Sequence, residues 1–224
     1  MTQPYFRYVP NFEYVNRLKD NQTISAYIQT KNLFKRGFLR EDIFTDLSYF
    51  TKYTVVGDDR PDNVAFKVYG SQYFDWLVML SNNIIVYQDE WPLDTASFES
   101  YLTSKYVTQQ DLFAVHHYET EEVFDDSGFT IIPKGLEVDK DFSITYHDTR
   151  LGVEVTKTNI TREFTNYDYE RKLDDAKRNI FLLNPQYADI VERNLRGSMI
   201  YRKGSSQYVD ANLTRGENLR LFQP

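Results

Sequence analysis

The stretch from Tyr53 to Ile84, "YTVVGDDRPDNVAFKVYGSQYFDWLVMLSNNI", decides how the chain is read. "KYTVV" is rich in β-branched and aromatic residues and predicts a short strand. "GDD" is a turn. Asp58 or Asp59 is placed to cap a helix that Pro61 helps to start. Val64, Ala65 and Val68 give that helix an apolar stripe, and Gly70 after Tyr69 supplies a left-handed stop. Ser71 can cap a second helix, in which Tyr73, Trp76, Leu77 and Leu80 recur at helical spacing. Asn82 and Asn83 end it, because Asn tolerates the left-handed conformation. A second strand is expected at "IIVY" (84–87) or at "WPL" (91–93). The result is strand, helix, helix, strand.

Outward from this module, residues 1–50 are polar and aromatic and read as an extended arm with a short helix. Downstream, "LFAVHHYET", "EEVFDDSGFTIIP", "DFSITYHD" and "LGVEVTK" turn to β patterning. "DDSG" between "EEVF" and "FTII" is a strong hairpin signal. At Asn166 the period becomes helical, with Tyr169, Leu173, Ala176 and Ile180 on one expected apolar face. "IFLL" (180–183) fits either the end of that helix or a short strand. Asn184-Pro185 restarts a helix, with Tyr187, Ile190, Val191 and Leu195 as its inner face and Gly197 as its stop. Residues 198–224 carry no sustained period and are expected to form a tail.

Composition narrows the function. The 224 residues hold no cysteine, which excludes disulfides, thiolate metal sites and a cysteine nucleophile. A formal charge of −7 argues against general nucleic-acid binding. No apolar run approaches the ~20 residues that span a bilayer. The opening "MTQPYFRYVPNFEYV" lacks the basic end and apolar block of a secretion signal, so a cytoplasm, or a particle assembled there, is the expected setting. Aromatics reach 16%, with 18 Tyr and 16 Phe against 2 Trp. Such tyrosine enrichment suits a β core and an interface equally.

The charge is also segmented. "KNLFKRGFLR" (31–40) carries four cations and no anion. Residues 107–148 carry ten acids against Lys134 and Lys140, and residues 193–224 carry six cations against Asp210 and Glu217. Blocks of alternating sign suit a chain touching several differently charged neighbours.

The central stretch resembles the LysM fold, through "YTV" followed by "GDD", then "NVAFKVYG" and "WLVMLSNNI". LysM modules bind N-acetylglucosamine-containing glycans in a shallow groove built by two loops. Here Arg60-Pro61 stands in the first loop, where wall-binding modules usually carry a small hydroxyl residue and an aliphatic. With "TKNLFKRGFLRED" upstream and "EWPL", "SKYVTQQDLFAVHHYET" and "YERKLDDAKRNIFLLNP" downstream, the order resembles the LysM-containing baseplate wedge proteins of T-even-type contractile-tailed bacteriophages. The resemblance covers roughly Tyr27 to Leu195. It implies a structural subunit of the virion tail baseplate, in six copies, one per wedge. Its implied partners are core subunits of its own and adjacent wedges and the sheath-initiating protein, with no nucleic acid and no membrane.

No catalytic set competes with that reading. His116 and His117 are adjacent beside Glu119, Glu121 and Glu122, but neighbours on a strand point to opposite faces and cannot share one ion without distortion. Asp125-Asp126 and Asp174-Asp175 lack the cleft a glycosidase pair requires. No G-x-S-x-G, P-loop or dinucleotide motif is present. Trp76 sits on the helix stripe and is expected in the core, whereas Trp91, between acids and Pro92, is expected to be exposed. Arg60 is the candidate bidentate anchor for a partner's carboxylate.

The expected fold class is therefore α+β. It comprises a 1–50 arm, a LysM-like module over 51–105, a β-rich acidic region over 106–164, helices over 165–197 and a 198–224 tail. The residues expected to make partner contacts are Tyr53, Asp59, Arg60, Pro61, Tyr69, Asn82, Asn83 and Trp91, with no cofactor, metal or catalytic residue. The alternative is a peptidoglycan-binding module of a phage or cell-wall protein.

Overall fold

The computed structural model describes residues 3–15, 27–148, 150–204 and 206–216. In order these form α1 (Tyr5–Tyr8), β1 (Asn11–Val15), β2 (Tyr27–Lys31), α2 (Glu41–Phe44), β3 (Phe50–Thr54), α3 (Pro61–Tyr69), α4 (Asp75–Ser81), α5 (Tyr87–Glu90), α6 (Thr95–Lys105) and α7 (Gln109–Leu112). They continue with β4 (Val115–Thr120), β5 (Val123–Phe124), β6 (Thr130–Ile132), β7 (Glu137–Val138), β8 (Ile144–Asp148), β9 (Val153–Lys157), β10 (Thr161–Thr165), α8 (Asn166–Lys177), β11 (Asn179–Leu183), α9 (Ala188–Met199), β12 (Tyr208–Asp210) and β13 (Leu213–Arg215). The class is α+β, built on several small sheets. The chain divides into two units, Met1–Trp91 with Asn179–Pro224, and Pro92–Arg178.

The first unit is organised around the stretch that opened the reading. Pro61 takes the first helical position of α3, with Arg60 as N-cap. Asp59 does not cap the helix; it pairs with Lys67 one face further along. Gly70 closes α3 at φ 73°, and its N–H donates to the Phe66 carbonyl at 3.0 Å. Ser71 caps a short 3₁₀ turn that runs into α4. Val64, Ala65, Leu77 and Val78 are fully buried, with Trp76 and Phe74 beside them.

No strand forms over 84–87 or 91–93; residues 87–90 are helical instead. The partner of β3 is β11, antiparallel, with Asn179 opposite Thr54 and Leu183 opposite Phe50. "IFLL" is thus a strand, and the strand-helix-helix-strand order is closed by residues far along the chain. Asn82 fastens this closure. Its Oδ1 accepts from the Phe181 N–H at 2.7 Å, and its Nδ2 donates to the Phe181 and Val78 carbonyls at 2.8 and 2.9 Å.

The first residues and the last described ones also belong to this unit. Val9 is buried, Tyr5 and Tyr8 pack on the core, and β1 sits between β2 and the parallel strand β13 in a sheet ordered β12-β13-β1-β2. The part of the expected tail over 208–215 is therefore paired strand; residues 217–224, and 16–26 of the expected arm, lie outside the described residues. In α9 the buried positions are Ala188, Val191, Glu192, Leu195 and Met199, while Ile190 is exposed. The helix runs through Gly197 rather than stopping there.

The second unit packs β4 between β10 and β7, with the hairpins β5–β6 and β8–β9. The "DDSG" turn is as expected: Gly128 has φ 84°, and Asp125 Oδ1 accepts from the Ser127 and Phe129 N–H groups. Thr165 and Asp168 form a reciprocal capping box that starts α8.

The buried face of α8 is not the apolar one. Leu173 is 46% exposed, whereas Glu170 and Asp174 are buried. Glu170 accepts from Tyr101 Oη at 3.0 Å, Lys105 Nζ at 2.6 Å and Tyr106 Oη at 2.9 Å. Asp174 accepts from the Leu93 N–H at 2.9 Å and pairs with Arg178. A satisfied polar network has set the helix's rotation in place of a hydrophobic stripe.

Candidate functional site: a groove along α4

Three neighbouring cavities of the first unit share the outward side of α4. The first, about 320 Å³, is lined by Arg60, Pro61, Asp62, Asp75, Met79 and Tyr87. Asp75 and Met79 also line the second, of about 570 Å³, with Tyr5, Phe6, Leu33 and Trp76 among its other walls. Arg36 and Leu80 carry over into the third, of about 410 Å³, which reaches Phe38, Phe44 and Asn83. Shared walls make the three one groove. Its volume is in the range of sites that take whole side chains or small ligands.

The local sequence explains the walls. In "KNLFKRGFLR" Gly37 is buried against Leu195, where a Cβ would overlap Leu195 Cδ1, and its N–H donates to Tyr5 Oη at 2.8 Å. Leu39 turns inward as well. With those two inside, Leu33, Phe34 and Phe38 are forced outward, 72%, 97% and 74% exposed. Phe6 and Ile85 extend the same apolar rim. Scattered exposed apolar residues are ordinary; a contiguous set around a groove marks a binding surface.

The polar groups are few. Trp76 is 3% exposed, its ring is 6.4 Å from Tyr5 and 6.1 Å from Phe74, and its buried Nε1–H has no hydrogen-bond partner among the described residues. Asp75 accepts the Trp76 backbone N–H at 2.8 Å. Burial pushes the Asp75 carboxyl above the ordinary aspartate range, helped by the charge of Asp62 and opposed by the Trp76 N–H. Lys35 donates to the Met199 and Ile200 carbonyls at 2.8 and 3.2 Å and lies 4.5 Å over the Tyr201 ring. Burial and the neighbouring Arg202 both lower its pKa. Arg36 has no carboxylate within ion-pair distance among the described residues.

The eight residues expected from the sequence are divided among different places. Arg60 and Pro61 line one end of the groove, Arg60 exposed beside Asp62 at 3.3 Å. Asn83, at φ 52°, lines the other. Tyr53 is half-buried on β3, and Tyr69 Oη donates to the Leu183 carbonyl at 2.9 Å. Burial carries the Tyr69 phenol well above its ordinary pKa. Asn82 holds β11, as described. Trp91 is buried, not exposed: its Nε1–H donates to the Asp59 carbonyl at 3.0 Å and its ring stacks with Tyr87. Both indoles are therefore closed to sugar stacking from solvent. In the sequence Leu33, Lys35, Arg36 and Phe38 leave no trace but the cationic run over 31–40, and Asp75 leaves none.

In the second unit the two imidazoles do meet. A register shift between Phe164 and Thr165 leaves His116 without a strand partner. Its Nδ1 comes 2.8 Å from that of His117, and its ring stacks on Tyr169 at 4.1 Å. His117 also approaches Glu119 at 3.4 Å, which is paired with Lys172. Among the described residues no group of three or more His, Cys, Asp or Glu side chains is arranged to hold a metal ion, and no helix is long and apolar enough to cross a membrane.

Residues 5–127, over half of the chain, match the family model described as base plate wedge protein 53. The matched span contains every groove-lining residue except Pro4. No curated protein matches the chain.

Proposed function

The chain belongs to the base plate wedge protein 53 family, a structural part of the phage tail baseplate, and from that premise we propose that it clamps the core subunits of its own wedge and joins neighbouring wedges. It does so as an adhesive, catalysing no reaction, in six copies placed one per wedge and near the sheath-initiating protein. Assembly takes place in the host cytoplasm. The observation that carries this reading is the α4 groove, with large apolar side chains exposed around it by the fold of the unit itself. The strand-helix-helix-strand unit of β3, α3, α4 and β11 supports descent from a LysM-like module whose loop, at Arg60-Pro61, now contributes one end of a protein-docking groove.

The experiment offers the purified chain two targets. One is a set of wedge subunits expressed from the same genome; the other is insoluble peptidoglycan. Co-purification with wedge subunits and no sedimentation with wall is the expected result. Sedimentation with wall in the absence of subunit binding would overturn it and leave a glycan-binding module in its place.

A further inference from the structure

We propose that the groove along α4 seats an apolar, carboxylate-bearing segment of another baseplate subunit, an assignment that rests on the docking role above and specifies its chemistry. The groove makes two separate demands on its occupant. Its walls and rim are mostly apolar: Leu33, Phe38 and Phe6 stand at 72%, 74% and 59% exposure beside the two larger cavities of the groove. Large side chains entering there bury that surface together with their own.

The choice is made by charge. Arg36 lines both of the larger cavities with no carboxylate partner among the described residues, and Lys35 lines the larger with Arg202 as the charged neighbour that acts on it. The acids in the walls are Asp62, which is paired with Arg60 at 3.3 Å, Asp75, whose pKa burial raises, and Glu41 at the far end, so Arg36 is the wall cation left without a carboxylate among the described residues. A segment bearing Asp or Glu gains a bidentate guanidinium contact. A basic segment meets like charge in a partly desolvated site, which is strongly unfavourable. A neutral glycan leaves the cations without a counter-charge.

The test places p-benzoylphenylalanine at Phe38 or Leu33 of the full chain by suppression during phage assembly, with Val107 of the second unit, 92% exposed, as the comparison site. Assembled baseplates are irradiated and the joined peptides sequenced by mass spectrometry. The expected product from Phe38 and Leu33 is one peptide of a different baseplate subunit, with large apolar residues beside Asp or Glu. Arg36→Glu then lowers co-purification with that subunit about tenfold, and Lys in place of its acid restores it. A join to a second copy of this chain, to residues 217–224 of the same chain, or to a Lys/Arg-rich segment overturns the assignment. So does the absence of any join in baseplates that contain the chain. Baseplates lacking the chain altogether would instead defeat the structural role on which the assignment rests.

Discussion

Asn82 offers the sharpest test of how the first unit is closed. Its amide makes three hydrogen bonds, of 2.7, 2.8 and 2.9 Å, two to the backbone of Phe181 on β11 and one back to Val78 on α4. Only one orientation of the amide satisfies them, since the reverse would set donor against donor. Each such bond is worth about 1 kcal/mol net, and water reaches part of the site. Asn82→Ala should therefore destabilise the first unit by about 2 kcal/mol, a fall of roughly 6–8 °C in its midpoint. Asn82→Asp should do at least as much at pH 7. It keeps the acceptor for the Phe181 N–H but brings a carboxylate against two carbonyls at a helix C-terminus. Acidification should return part of the loss, because the protonated acid can donate to one of those carbonyls. The assay is urea unfolding followed by tryptophan fluorescence. Both tryptophans, Trp76 and Trp91, belong to the first unit, so the signal reports on that unit alone. A loss below about 0.5 kcal/mol for Asn82→Ala, or wild-type stability for Asn82→Asp at pH 7, would refute the clamp.

In the second unit, burial raises the Glu170 pKa, and hydrogen bonds from Lys105, Tyr106 and Tyr101 more than reverse this, so it ends below 4.5, the ordinary value. A depressed carboxylate stabilises the folded state fully above its unfolded pKa and loses that contribution as pH falls through the folded one. Glu170→Gln should cost about 1–2 kcal/mol at pH 7 and flatten the pH dependence of unfolding below about pH 4.5, read by near-UV tyrosine circular dichroism. Gly37→Ala should cost about 1–3 kcal/mol in the fluorescence assay, because its Cβ meets Leu195 in the core. Trp76→Phe should cost the isolated chain only about 1 kcal/mol, since the lost volume is offset by removal of an unpaired buried donor.

Local signals carried the fold where they were strong. Pro61 at a helix start, Gly70 at a left-handed stop, Asn83 at positive φ and the "DDSG" turn each depend on the backbone preferences of single residues, and each stands where the sequence placed it. What the sequence could not reveal was pairing over distance. The apolar run over 84–87 has the composition of a strand, but β3 is occupied by β11, and no local pattern distinguishes the two candidates. Likewise "YVD" and "LTR" near the end are too short to read as strands until β1 lies beside them. The acidic neighbours of Trp91 point to exposure, but the indole N–H donates to a carbonyl at Asp59, thirty-odd residues earlier, which composition around the tryptophan cannot show.

The groove was hard to read for a related reason, and α8 shows why. Periodicity finds a helix face by assuming that apolar residues go inside. In α8 that assumption picked Leu173 and Ala176, yet both are exposed, because Glu170 and Asp174 found enough donors to be buried instead. In "KNLFKRGFLR" no period exists to follow, and the inward positions are decided by a glycine that no hydrophobicity scale favours. Burial of Gly37 against Leu195 fixes the backbone, and the chain has no choice but to present Phe34 and Phe38 to the outside. Substituting those phenylalanines should therefore leave the isolated chain's stability nearly unchanged, in contrast to Gly37. Apolar side chains that a rigid backbone holds outward, around a groove with cations in its wall, are what a subunit needs when its binding energy must be available only on assembly. Their signature in sequence is the failure of a cationic, aromatic run to fit any buried pattern.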